Sequence, residues 1–430
     1  MNYLLKDLNL ENMVFKVIKM SQKMEMVKPI SKQNYKVLNG AKAIAEAIKI
    51  ADVDVISAYP IRPYTGIMNA IAQMLANGEF KAEIIIADSE HSQFEVVKHA
   101  SAVGARTFVG SSGVGLLYAF EAVTATSLGS VPVIGVIGTR ALDDPGNFGM
   151  EWTDILTTRD LGWLISWPRD VQEAVDMTIV AYRVAEDRRV LQPHFIAIDG
   201  AAITHISMPV VLPTKEEVAP FLPPYNPPYK IDPDYGPITK GMHIAPSLIG
   251  PEERKVIDVS FKKSREVIKE AWKDYEKYVG RKYDPFIESK NMDDAEIALI
   301  SMGAYMKDIE YVAQKLRSEG IKIGTIRLRY LRPFPDRELA LLLENVKAAG
   351  IVEFGFSFGS PYGTGPIYHE VSSALYDLDS RPKLLDFLFL GGREPTVMHF
   401  RKAAEKVLEL KNGKKLEKKT YWLTLRGEDI

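Results

Sequence analysis

The chain has 430 residues, enough for two or three domains with sizeable cores. Its hydrophobic fraction of 46% and charged fraction of 26% are those of an ordinary soluble globular protein, and a formal net charge of −2 supplies no basic field for nucleic acid. The absence of cysteine excludes disulfides, a cysteine nucleophile, cysteine-held zinc and any iron–sulfur cluster ligated by cysteines of this chain. No run of about 18 apolar residues occurs, so no transmembrane helix is expected and the cytoplasm is the expected compartment.

Residues 1–36 form an N-terminal extension. Met1, Met13, Met20, Met24 and Met26 punctuate a lysine-rich, weakly amphipathic stretch that lacks the apolar core and cleavage site of a signal peptide. A surface-packed or frayed extension, or a start codon assigned too early, would account for it.

Residues 37–212 alternate between strand-like and helix-like segments. Ala41–Ile50 reads as a helix and Asp54–Ala58 as a strand. Thr65 is placed to cap the next helix, which ends at Asn77-Gly78. Ala82–Ala87 reads as an apolar strand, Ser92–Val103 as a helix, Arg106–Gly110 as a strand, Leu116–Ser127 as one helix and Val131–Gly138 as a strand. A long helix carries Val171, Val175, Thr178 and Tyr182 on one face, and the strand Phe195–Ile198 closes the series. Continuous Val/Ile strands separated by helices imply an α/β fold, a parallel sheet with helices on both faces.

Residues 213–294 have another texture. Ten of the 25 prolines fall between Pro213 and Pro251, which forbids regular helix or central strand there. Interleaved Phe221, Tyr225, Tyr229 and Tyr235 favour an extended crossover packed on the surface. Phe261, Ile268, Trp272, Tyr275 and Val279 then mark a long amphipathic helix. Residues 295–430 form a second α/β unit. Its expected elements are the strand Ile297–Ser301, the helix Lys307–Ser318, the strand Ile323–Arg329, the helix Arg337–Ala348, the strand Ile351–Phe354 and, after a Gly-rich turn, the helix Ile367–Leu375.

The residues able to carry chemistry cluster at the strand ends of the first unit, where open α/β sheets place their ligands. The first strand leads into Ala58-Tyr59-Pro60-Ile61-Arg62-Pro63, a proline-braced turn that gives no structural reason for an arginine. The second leads into Asp88-Ser89-Glu90-His91-Ser92, the third into Gly110-Ser111-Ser112-Gly113-Val114-Gly115 and the fourth into Gly138-Thr139-Arg140. A salt bridge from Arg62 to Asp88, and a helix-capping role for Glu90, are the ordinary explanations to weigh against function.

This series, in this order, resembles the α subunit of the 2-oxoacid:ferredoxin oxidoreductases. Arg159-Asp160-Leu161-Gly162-Trp163, Asp199-Gly200 with Thr204-His205, Phe221-Leu222-Pro223-Pro224-Tyr225, Arg332-Pro333-Phe334-Pro335, Ser357-Phe358-Gly359 and Gly391-Gly392-Arg393 extend the match from about residue 37 to about residue 410. The resemblance implies a pyrimidine-type thiamine-diphosphate-binding fold followed by a transketolase C-terminal-like domain. It further implies thiamine diphosphate shared with a β subunit that holds the diphosphate and Mg2+, and iron–sulfur clusters on γ and δ subunits, separate or fused. Ferredoxin would be the electron acceptor, and a dimer of heterotrimers the assembly. No Gly-Asp-Gly followed by paired asparagines occurs, so no metal ligands are expected on this chain and alone it is expected to be inactive.

Site roles carry over by position. Glu90 would meet N1′ of the aminopyrimidine, with Tyr59, Pro60, Ile61, Ser112 and Gly115 around the cofactor. Val114 stands where relatives carry glutamine, which puts in doubt any hydrogen bond assigned there. Arg140 matches the family's substrate-facing arginine, and Arg62 replaces the family's threonine beside the substrate. Two arginines suit two carboxylates, because each guanidinium can grip one bidentately. Oxalate is the smallest acid that offers two, so CoA-independent oxidation of oxalate to two CO2 is the expected reaction. Pyruvate or another 2-oxoacid is the alternative substrate, and a non-catalytic scaffold is a second alternative that an intact Glu90 opposes. The loop 142–149 is expected to present Phe148 in one state and Asp143 in another, the aspartate repelling the carboxylate left after the first CO2 departs. A surface turn with locally capping aspartates is the ordinary reading of that loop. His91 and His205 are read as hydrogen-bonded structure, and His194, His243 and His399 form no metal-ligand spacing.

Overall fold

The computed structural model describes residues 35–142, 147–238 and 246–427. Most of the N-terminal extension, and Asp143 with its neighbours to Gly146, lie outside the described residues. The first described strand, Tyr35–Asn39, pairs antiparallel with Ser207–Val211.

The main sheet has seven strands, in the order Tyr330–Arg332, Leu164–Ser166, His194–Ile198, Ile134–Gly138, Thr107–Ser111, Val55–Ala58, Glu83–Ile86. All neighbours are parallel except Tyr330–Arg332, which comes from the second unit and runs antiparallel. Helices Gly40–Ile50 and Val171–Ala185 cover one face through Ile44, Ile48, Val175 and Ile179. Glu90–Ala102 and Phe120–Leu128 cover the other through Phe94, Val97 and Val123. From Val55–Ala58 the chain passes to the edge at Glu83–Ile86, then returns to Thr107–Ser111 on the opposite side. That reversal opens a crevice at the carboxyl ends of Val55–Ala58 and Thr107–Ser111.

The second sheet has six strands, in the order Thr420–Trp422, Lys383–Leu388, Ala348–Glu353, Ile297–Ser301, Ile323–Leu328, Ile287–Lys290, the last antiparallel. Its core is continuous with the second face of the first unit, through Trp152, Leu156 and Phe354. Asp199 reinforces the junction: both Trp152 and Trp167 donate their indole N–H to its Oδ1 at 2.9 Å, and the Ala304 N–H donates to Oδ2. The long helix Pro246–Val279 returns to the first unit, burying Ile268, Trp272 and Tyr275. Contrary to the expectation that the prolines forbid helix up to Pro251, it starts within the proline-rich stretch and carries Pro251 near its N-terminal end. Buried Asp176 accepts hydrogen bonds from Tyr275 Oη and Tyr283 Oη, each at 2.7 Å, and from Arg281. Arg106 ties down the proline-rich crossover: its buried guanidinium pairs with Glu186 and donates to the Ala51 and Pro223 carbonyls.

Several local expectations change. Thr65 is the first helical residue, not the cap, because Tyr64 already has helical φ and ψ as the chain leaves Pro63. The apolar strand Glu83–Ile86 lies at the sheet edge with Ile85 and Ile86 exposed. The expected helix Leu116–Ser127 is two helices, Gly113–Tyr118 and Phe120–Leu128, meeting at Ala119. The helix after Pro335 stops at Leu343, since the small residues from Ala348 onward enter the sheet as Ala348–Glu353. In the crossover, Phe221 is buried and Tyr225 half-buried, but Tyr229 points outward.

Candidate active site

The crevice is built on four polar or glycine contacts. Tyr59 N–H donates to Gln93 Oε1 at 2.8 Å, and Gln93 Nε2 donates to the Gly110 carbonyl at 2.9 Å, so one fully buried glutamine fixes the Tyr59 turn to the strand Thr107–Ser111. The Tyr64 ring lies directly on Gly110, where no Cβ could fit. Pro63 packs on Gly138 in the same way: a Cβ there would stand 2.8 Å from Pro63 Cγ.

Glu90 opens the helix Glu90–Ala102. Its neighbour Ser89 is the cap, accepting from the Ser92 N–H at 3.1 Å, so capping does not account for the glutamate. Its side chain is buried, and Glu90 Oε1 rests against the bare Cα of Gly115, with Ile61 Cδ1 beside it. Ser112 is fully buried and its hydroxyl donates to the Ser111 carbonyl at 2.7 Å. Tyr59 and Ile61 are half-buried, and Pro60 and Val114 are exposed at the rim.

The two arginines meet at one aromatic ring. The guanidinium carbons of Arg62 and Arg140 lie 5.9 and 5.2 Å from the centroid of Phe148, a half-exposed side chain. Neither guanidinium has a carboxylate partner among the described residues, so the Arg62–Asp88 bridge does not form. Arg140 Nε is buried and has no hydrogen-bond partner among the described residues. Phe148 belongs to a loop that closes through the Ala141 N–H donating to the Gly149 carbonyl at 3.0 Å. The second unit supports this loop: the turn Gly391-Gly392 lies on Gly149, and the Gly391 N–H donates to Glu151 Oε2 at 3.1 Å.

Asp154, like Gln93, is a residue that sequence reasoning missed. It is fully buried on the short helix Thr153–Leu156. Its Oδ2 accepts from the Gly113 N–H at 2.8 Å and the Arg140 N–H at 3.1 Å, and its Oδ1 from the Ile155 N–H at 2.8 Å. Burial pushes its carboxyl up to about 7, with the three N–H donors acting in the opposite direction. The only signal in the sequence is an acid set among Trp152, Ile155 and Leu156.

Other candidates are structural. His91 pairs with Glu121 at the surface and His205 Nδ1 with Thr204 Oγ1 at 2.7 Å. The Gly-rich turn before Pro366–Ala374 holds no cradle for an external anion. Buried Glu353 already accepts from the Ile367 and Tyr368 N–H groups, each at 2.9 Å, and Asp386 from the Gly365 N–H. No group of three or more His, Asp or Glu side chains suited to a metal occurs among the described residues, and no helix among them is long and apolar enough to cross a membrane.

A buried carboxylate facing a floor without a Cβ, beside an apolar side chain, at the switch point of a parallel sheet, suits the pyrimidine end of thiamine diphosphate. Residues 46–272 match the thiamine diphosphate-binding model of pyruvate flavodoxin/ferredoxin oxidoreductases, and residues 295–400 the pyruvate:ferredoxin oxidoreductase core domain II. The chain belongs to this family, as an α subunit of the 2-oxoacid:ferredoxin oxidoreductases. It is 36% identical to pyruvate synthase subunit PorA of Pyrococcus horikoshii over 91% of this chain and 98% of that one. It is 34% identical to PorA of Thermotoga maritima over 90% and 97%, and 34% identical to ketoisovalerate oxidoreductase subunit VorA of Pyrococcus horikoshii over 91% and 98%. Among solved structures, the 2-oxoglutarate:ferredoxin oxidoreductase from Magnetococcus marinus shares the fold at a TM-score of 0.64 and 17% identity, over 87% of this chain and 65% of that one. A split-gene transketolase shares it at 0.50 and 13%, over 86% and 97%.

Proposed function

We propose that this chain is the α subunit of a family member that oxidises oxalate to two CO2, passing two electrons to ferredoxin without coenzyme A. The observation that carries the reading is the pair of guanidiniums, Arg62 and Arg140, both without carboxylate partners among the described residues and both against Phe148. A monocarboxylate needs one such group; an oxalate dianion uses two. The comparisons back a 2-oxoacid such as pyruvate better than oxalate, since the PorA relatives are described as pyruvate synthase subunits. Pyruvate is therefore the second reading. Relatives at 34–36% identity are described by more than one substrate, so at this distance the site residues weigh in the choice.

When bound, thiamine diphosphate supplies the nucleophilic carbon and the electron sink for decarboxylation. Glu90 holds a proton at N1′ of the aminopyrimidine from its buried place beside Gly115. Tyr59, Pro60, Ile61, Ser112 and Gly115 shape the wall around that ring. Arg62 and Arg140 bind the acid's carboxylates and neutralise them, which a carboxylate carbon needs before it can be attacked. Phe148 offers its ring to both guanidiniums and partly covers half-buried Arg140, while Arg62 stays exposed at the rim. Asp143, outside the described residues, is proposed to repel the second carboxylate once the first CO2 has left. The diphosphate and Mg2+ belong to a β subunit and the clusters to γ and δ subunits, all in the cytoplasm.

The test is viologen or ferredoxin reduction by the purified complex with oxalate, pyruvate and 2-oxoglutarate in parallel. Reduction with pyruvate and none with oxalate would overturn the main reading in favour of the second. Arg62→Thr is expected to weaken oxalate use by more than roughly tenfold, the loss of one charge-assisted contact worth about 1.5–3 kcal/mol.

A further inference from the structure

We infer that Asp154 is a positioning residue for substrate binding: one buried carboxylate sets the backbone of Arg140 and the glycine floor beneath its side chain in a common frame. This inference rests on the reading that Arg140 grips the acid.

The geometry is specific. Asp154 Oδ2 receives the N–H of Arg140 and the N–H of Gly113, two residues on different strand-to-helix connections. Gly113 has φ +54, and a Cβ there would stand 2.5 Å from Arg140 Nε and 3.1 Å from Arg140 Cζ. The Arg140 side chain therefore runs against the bare Cα of Gly113. Its anchor point and its support are held by the same oxygen atom. The helix that Gly113 begins also carries Gly115, the floor of the Glu90 carboxylate. Losing the clamp would let the Gly113 turn and the Arg140 backbone relax independently. A displacement of a few tenths of an ångström at Cα is amplified at the end of a long side chain, so carboxylate binding should suffer first. Among the described residues the buried Arg140 Nε has no hydrogen-bond partner of its own to restore the position. Asp154 itself is sealed from the crevice, so it acts through Arg140 and touches no reactant.

The experiment measures KM and kcat for the acid that the complex oxidises, with all subunits present, in Asp154→Asn, Asp154→Ala and Arg140→Lys. An asparagine oxygen still accepts from Gly113 and Arg140, while its NH2 opposes the Ile155 N–H. Asp154→Asn is expected to raise KM about threefold to tenfold, and Asp154→Ala more than about tenfold, with kcat within about twofold in both. KM for ferredoxin should not move, which separates positioning from general loss of structure. If the Ala variant does not assemble, the Asn variant decides. A KM for the acid unchanged in Asp154→Asn, or a loss confined to kcat, overturns the inference, provided that Arg140→Lys raises KM. If Arg140→Lys leaves KM unchanged, the failure belongs to the role assigned to Arg140, and this inference falls with it.

Discussion

The carboxylate of Glu90 lies against the bare Cα of Gly115, so that a methyl group at position 115 would collide with both Glu90 Oε1 and Ile61 Cδ1. Gly115→Ala should leave the fold intact, since the atoms the methyl meets are the ends of two side chains that can shift, but should displace the glutamate from its place. We expect cofactor affinity to fall by more than about tenfold, measured by titrating thiamine diphosphate into cofactor-stripped complex. Glu90→Gln keeps the shape and loses the acid, so it should retain the cofactor and lose about 10²-fold or more in turnover. Normal turnover in Glu90→Gln would remove Glu90 from the proton path.

Phe148 is expected to set substrate affinity. Phe148→Leu keeps an apolar shield and removes the aromatic face from two guanidiniums, each contact worth about 0.5–1 kcal/mol. KM for the acid should rise by roughly threefold to tenfold, and Phe148→Ala should do more because it also strips the apolar cover from half-buried Arg140. Equal KM values for the two variants would show that the ring face, not apolar shielding, is what matters.

His194 predicts a loss of stability in acid. It is fully buried on a central strand, with Nε2 and Ser166 Oγ 2.8 Å apart, and burial pushes its pKa down from 6.5 to about 3. The folded state therefore binds this proton less readily than the unfolded chain. The stability held by neutral His194 is complete above about 6.5 and is lost as pH falls toward 3, at roughly 1.4 kcal/mol per unit. Thermal melts of the complex between pH 7.5 and 5 should show this slope, and His194→Gln should flatten it. A parallel slope in the variant would place the acid sensitivity elsewhere.

The turn Gly391-Gly392 should matter to catalysis although it lies in the second unit. A Cβ on Gly391 would stand 2.7 Å from Ala141 Cβ and 3.2 Å from the Gly149 carbonyl, on both arms of the Phe148 loop. Gly391→Ala is expected to lower kcat/KM for the acid several-fold without changing the affinity for thiamine diphosphate. An unchanged kcat/KM would show that the loop tolerates the push.

Much of the fold was legible because buried parallel strands are written as continuous Val/Ile runs, as in Ile134–Gly138 and Ile297–Ser301. Composition could not show which apolar strand lies at an edge, so Glu83–Ile86 reads as buried. Three-residue strands such as Leu164–Ser166 leave too little pattern to detect. Glu90, Arg62 and Arg140 were legible from their places after strands and from the order of motifs. Gln93 and Asp154 were not, because they work through backbone N–H and carbonyl groups far away in the chain. Asp154 meets Gly113 across 41 positions, and no spacing rule marks such a contact.

The edge strand Glu83–Ile86 carries a practical consequence for anyone producing this chain. It presents one open row of backbone donors and acceptors, flanked by exposed Ile85 and Ile86, and among the described residues nothing pairs with that side. Such a border is a template for strand addition by other molecules of the same chain. Expressed by itself the polypeptide should therefore self-associate as its concentration rises, and co-expression with its partner subunits is the route to soluble material.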